Sequence, residues 1–89
     1  MNIEHNPDEA MFYIELGNTQ AVLEYRLMLP GMEDDALEDK GTVDFTLTYV
    51  PTEHRGQGYA EALVYHGLSW AEQQGFKVQA ACWYVQKFL

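Results

Sequence analysis

Between Tyr49 and Tyr59 the hydrophobic period of this chain changes, and no other feature limits its fold so tightly. Before the change, Val43, Phe45, Leu47 and Tyr49 alternate with Asp44, Thr46 and Thr48, the period-two pattern of a strand covered on one face. After it, Leu63, Val64, Gly67, Leu68 and Ala71 recur at helical spacing, with Trp70 flanking the stripe and Gly75 placed as a left-handed C-terminal cap. The pattern predicts a strand closed by Val50-Pro51, where proline has no N–H for a ladder, then a loop, then an amphipathic helix from about Tyr59 to Gln74. Gly67 lowers helix propensity inside the apolar stripe and marks a place where the helix backbone lies close against a sheet. Lys77 to Cys82 reads as a further short strand, and strand-helix-strand is a right-handed crossover, so the strands flanking the helix run parallel. Trp83 to Leu89 reads as one or two helical turns.

Upstream, Ala10, Phe12, Ile14 and Leu16 alternate with Met11, Tyr13 and Glu15, and Ala21, Leu23, Tyr25, Leu27 and Leu29 alternate with Gln20, Val22, Glu24, Arg26 and Met28. Gly17-Asn18 between them is a two-residue hairpin signal, because glycine takes the positive φ of a tight turn. Met1 to Asp8 shows no periodicity and reads as a flexible or loosely docked lead-in. The resulting expectation is one α+β domain over residues 1–89. It has a three-stranded antiparallel sheet, a crossover helix, a fourth strand parallel to the third, and a short C-terminal helix.

Fourteen acidic against five basic side chains give a formal charge of −9, which repels nucleic acid and anionic membranes and leaves a cationic co-substrate admissible. Three of the basic residues, Arg55, Lys77 and Lys87, follow Pro51, so an anionic ligand would meet the second half of the chain. The stretch Pro30 to Gly41 holds Glu33, Asp34, Asp35, Glu38 and Asp39 and reads as a hydrated connector, with a lure for a cationic substrate as the functional alternative. Cys82 is the single cysteine, so no internal disulfide forms, and no apolar stretch has membrane-spanning length; a cytoplasmic protein is expected. His5, His54 and His66 lack metal-site spacing, so no metal is expected.

The segment Pro51-Thr52-Glu53-His54-Arg55-Gly56-Gln57-Gly58-Tyr59-Ala60 opens the helix, where unpaired N–H groups and the positive dipole end attract an anion and small residues let it approach. It lacks the lysine and hydroxyl of a P-loop and the glycine spacing of a dinucleotide fold. Arg55-x-x-Gly58-x-Ala60 resembles the coenzyme A pyrophosphate motif of the GCN5-related N-acetyltransferases. The wider match from Thr42 to the end, including Cys82-Trp83-Tyr84-Val85-Gln86-Lys87, is similar to the small stand-alone branch of N-acetyltransferase domain-containing proteins.

That resemblance implies an acetyl-CoA-dependent N-acetyltransferase acting on an amine, either a small molecule or an exposed protein amine. The alternative is a non-catalytic coenzyme A or acetyl-CoA binding module with a regulatory role. It implies a coenzyme lying between the third and fourth strands where they splay. Its pantetheine would pair with the backbone around Thr48, Tyr49 and Val50, and its pyrophosphate would sit on the N–H groups of Arg55, Gly56, Gln57, Gly58, Tyr59 and Ala60. His54 reads as a solvent-facing loop residue. Read from the residues alone, Cys82 is a small buried hydrophobe at a strand end and Trp83 and Tyr84 are packing groups. The resemblance implies that Cys82 faces the thioester as a possible acyl-carrying nucleophile and that Tyr84 protonates the departing thiolate. Asp44 and Glu53 are the nearest carboxylates for deprotonating an ammonium.

Overall fold

The computed structural model describes residues 2–29 and 40–89; the acidic stretch of residues 30–39 lies outside them. The described elements are strands β1 (Glu4–Asn6), β2 (Met11–Leu16), β3 (Thr19–Met28) and β4 (Thr42–Tyr49), helix α1 (Tyr59–Gln74), strand β5 (Lys77–Ala80) and a terminal turn of helix, α2 (Trp83–Gln86). They build one five-stranded sheet in the order β1-β2-β3-β4-β5. The first four strands run antiparallel to their neighbours, and β5 runs parallel to β4 after the crossover through α1.

The hairpin follows from its sequence: Leu16 faces Thr19 across Gly17-Asn18, and Gly17 has φ 73°. One strand joins the sheet that hydrophobic patterning does not announce. Glu4–Asn6, in the segment expected to be loosely docked, pairs with β2 through Glu4↔Tyr13, His5↔Phe12 and Asn6↔Met11. The His5 ring stacks on Phe12 with centroids 4.1 Å apart, and its Nε2 lies 2.7 Å from the Tyr25 hydroxyl. A histidine among polar residues gives no apolar period to read, so an edge strand held by its ladder with β2 and by the His5 ring is invisible to periodicity.

The core lies between one face of the sheet and α1. Phe12, Ile14, Ala21, Leu23, Val43 and Phe45 from the strands meet Leu63, Val64 and Ala71 from the helix, all nearly or fully buried. Gly67 sits where the two layers come closest. A Cβ there would approach Leu23 Cδ2 to 2.8 Å and Phe45 Cε1 to 3.0 Å, so the missing side chain is what lets α1 seat on the sheet. The helix ends at Gly75, φ 78°, whose N–H turns back to the carbonyls of Ala71 and Glu72.

Strand β4 departs from its own alternation. Leu23 pairs with Thr48 and Glu24 with Leu47, but Tyr25 pairs with Phe45, so Thr46 is an extra residue opposite the Glu24–Tyr25 step. Its hydroxyl donates a long 3.4 Å bond to the Glu24 carbonyl. A one-residue bulge exchanges the faces of everything beyond it. Val43 and Phe45 stay in the core, whereas Leu47 and Tyr49, expected on the same face, are 42% and 48% exposed on the far side. Thr48, expected outside, shares the face of its partner Leu23, which is fully buried.

Candidate functional site

Beyond the bulge β4 loses its second neighbour. Register with β5 runs from Thr42↔Lys77 to Phe45↔Ala80, and a final bond from the Cys82 amide to the Phe45 carbonyl, 3.1 Å, closes the ladder. The chain then turns into α2, while β4 continues four residues further to Tyr49 with β3 alone. Asp44 holds the corner: its carboxylate, 6% exposed, accepts the Ala81 amide at 2.9 Å. That engagement makes Asp44 a clasp for the turn into α2 rather than a base for an ammonium, and Glu53 is exposed on the 3₁₀ turn Thr52–His54 away from the splay.

The loop after β4 turns on two glycines. Gly56 and Gly58 have φ of 80° and 85°, a left-handed conformation that residues with a Cβ adopt only under strain, and Gly58 is the N-cap of α1. Open space surrounds both, so these glycines serve backbone conformation and not packing. The first intrahelical bond runs from the Ala62 amide to the Gly58 carbonyl, 3.0 Å, and no side chain caps the helix. Among the described residues no acceptor takes the amides of Gly56, Gln57, Gly58, Tyr59 or Ala60. Five successive donors at the positive end of a sixteen-residue helix make a place that can seat an anion. Arg55 ties this seat to the strand, its Nε donating to the Val50 carbonyl at 2.8 Å.

Splay and loop open into one cleft of about 580 Å³, of the size that holds a small ligand. Of the residues singled out from the sequence, Thr48, Val50, Arg55, Gly56, Gly58, Tyr59 and Ala60 line it from β4 and the loop, and Cys82 and Tyr84 from the turn into α2. Two stand apart. The Tyr49 ring lies on the opposite face of the sheet, in a groove beside the β2–β3 hairpin, because of the bulge. Gln57 is exposed and contributes its backbone alone to the loop.

Three lining residues were unread or misread in the sequence. His54 is half-buried against the cleft with its ring edge-on to Tyr59, centroids 6.3 Å apart, rather than facing solvent. Glu61 projects from the first turn of α1, a position that carries no signal until the loop's direction is known. Trp83, read as a packing group, is 70% exposed on the rim.

At the inner end Cys82 Sγ lies 3.6 Å from Thr48 Oγ1. The contact exists because the bulge turns Thr48 toward the helix face. Burial pushes the Cys82 thiol up, but the Val85 amide, the Thr48 hydroxyl and the amides of Tyr84 and Thr48 favour the thiolate more, so the thiol ionises below its ordinary range. As a thiol the sulfur makes no cap hydrogen bond to α2; these amides act on the anion. Tyr84 moves the other way. Burial, then the charge of Glu61 and the nearby Tyr65, push its phenol up, so it keeps its proton. The cleft thus joins a run of open amides, an unpaired strand edge, a sulfur biased toward the thiolate and a phenol biased toward the acid.

The profile of the family described as GCN5-related N-acetyl-transferase matches residues 11–89. The whole chain is 30% identical to Protein NATD1 of Danio rerio, covering 74% of that protein. It is 29% identical to Protein NATD1 of Mus musculus and of Homo sapiens, covering 74% and 72% of them.

Proposed function

The chain belongs to the GCN5-related N-acetyltransferase family, and from that membership we propose that it transfers an acetyl group from acetyl-CoA to an amine through a transient acyl-Cys82. The carrying observation is that the unpaired amides of Gly56 to Ala60 and the unpaired edge of β4 open into the same cleft as Cys82. Coenzyme A carries a diphosphate at one end of its pantetheine arm and the thioester at the other. The diphosphate suits the helix N-terminus, and the amide-bearing arm suits an open strand edge by strand addition. The thioester then lies beside Cys82 and Thr48.

Chemistry follows from the opposed biases of the two side chains. The Cys82 thiolate adds to the thioester carbonyl carbon; the bond from that carbon to the coenzyme sulfur breaks, and the coenzyme thiolate takes the Tyr84 proton. A neutral amine then adds to the acyl-cysteine. Cys82 leaves as thiolate, and the amine's surplus proton returns to the Tyr84 phenolate. Both groups end as they began, and the products are an amide and free coenzyme A. The acceptor is an amine small or exposed enough to reach an open cleft. A reducing compartment such as the cytosol would keep Cys82 as a thiol.

Acetyl-CoA added without amine should give an acetyl adduct visible by intact mass and absent in Cys82→Ser, with turnover abolished in that variant. Full turnover by Cys82→Ser would remove the acyl-cysteine and leave direct attack by the amine. Coenzyme binding without turnover of any amine in a broad panel would make the chain a binding module, and failure to bind any CoA species would end this reading.

A further inference from the structure

We propose that the acceptor amine is a lysine in a polypeptide with apolar flanking residues. It docks along an aromatic strip that runs from the cleft rim over Trp83, Tyr84 and Phe88 to Tyr65 of α1. The inference rests on the transferase reading above and chooses between the small and the protein-borne amines which that reading admits.

The strip is continuous. Tyr84 lines the cleft, and Trp83 meets it edge-on at 6.0 Å on the rim. In the other direction Phe88 follows Tyr84 at 5.3 Å, and Tyr65 follows Phe88 at 5.2 Å. An extended peptide rises about 3.3 Å per residue, so roughly five residues cover these steps. Both ends present open ring surface, Trp83 being 70% and Tyr65 57% exposed. The core does not demand this arrangement, because Val85 is the residue of α2 that anchors the turn in the interior.

The charges beside the strip specify what it takes. Glu61 stands one helical turn before Tyr65 on the same face of α1 and is the one carboxylate among the described residues lining the cleft. Its charge reaches Tyr84, whose phenol it helps to keep protonated. An ammonium entering the cleft therefore meets an opposite charge where the strip begins. Lys87 sets the flanks. Its Nζ lies 5.4 Å from the Trp83 ring and 5.2 Å from the Tyr84 ring, so a second cation next to the acceptor lysine is repelled there, whereas an apolar side chain is not. The strip offers on the order of 400 Å², about half of the ~800 Å² per partner that a stable dimer uses, which suits a short peptide better than a second copy. Two copies carrying −9 each also repel one another.

The test compares turnover of three acceptors with acetyl-CoA in excess. They are an N-terminally blocked pentapeptide with a central lysine flanked by leucine and phenylalanine, its counterpart flanked by glycine and serine, and butylamine. The apolar-flanked peptide should show a kcat/KM about tenfold above the other two, carried by KM. Tyr65→Ser should raise that KM to the level of the glycine-flanked peptide, and Tyr65→Phe should keep the preference. Calorimetric binding of coenzyme A checks that each variant retains its cleft. Equal kcat/KM for the two peptides, butylamine as the best acceptor, or a preference that survives Tyr65→Ser overturns the strip and leaves the transferase reading standing. A dimer in ultracentrifugation that Tyr65→Ser dissociates would assign the strip to a second copy and overturn the proposal as well. Turnover of none of the three acceptors overturns both readings.

Discussion

The two halves of β4 share a sequence pattern and lead different lives. In the first half, Val43 and Phe45 are fully buried, and the backbone is paired with β3 on one side and β5 on the other. In the second, Leu47 and Tyr49 occupy the same periodic positions but lie 42% and 48% exposed, and the backbone has β3 alone. One inserted residue, Thr46, separates them. The first half is committed to packing, so its side chains bear on stability. The second has given up a strand partner, and of its side chains Thr48 bears on the cleft.

The sharpest way to break that contrast is Phe45→Ala. Phe45 packs beneath Gly67 with no exposed surface, so truncation should destabilise the protein by about 3–5 kcal/mol in denaturant unfolding. A loss below about 1 kcal/mol would show that the layers relax around the cavity and that the first half is no more structural than the second.

Thr48→Val probes the second half at the point where the bulge matters. The hydroxyl favours the Cys82 thiolate, so its removal should raise the thiol pKa and move the pH profile of iodoacetamide alkylation to higher pH. Global stability should change little. An unmoved profile would mean that the Val85, Tyr84 and Thr48 amides hold the thiolate without help from the hydroxyl.

Leu47→Ala should be the smallest effect, within about 1 kcal/mol, because that side chain is partly in water and outside the core. A cost like that of a core leucine would end the contrast between the halves.

Much of this was legible before any coordinates. The α1 boundaries, Tyr59 to Gln74, follow from a helical stripe bounded by a glycine loop and by Gly75, because each of those residues acts within a turn or two of its own position. The Gly17-Asn18 hairpin and the meaning of Gly67 are local in the same sense. Asp44 was not legible as a clasp, since its partner is an amide thirty-seven residues away. Nor was His54 as a lining residue, since burial of a loop side chain depends on where the loop turns.

By itself, then, the sequence determined the order and type of the principal elements, the parallel crossover and the glycine loop at a helix start, all set by short-range dihedral preference and hydrophobic period. Tertiary structure alone decided the β4 bulge, and with it the divergence from β5 and the meeting of Thr48 with Cys82. An unbroken period of two is compatible with a bulge or without one. The choice comes from how the neighbouring strand and the helix layer fill their space, and no single segment contains that information.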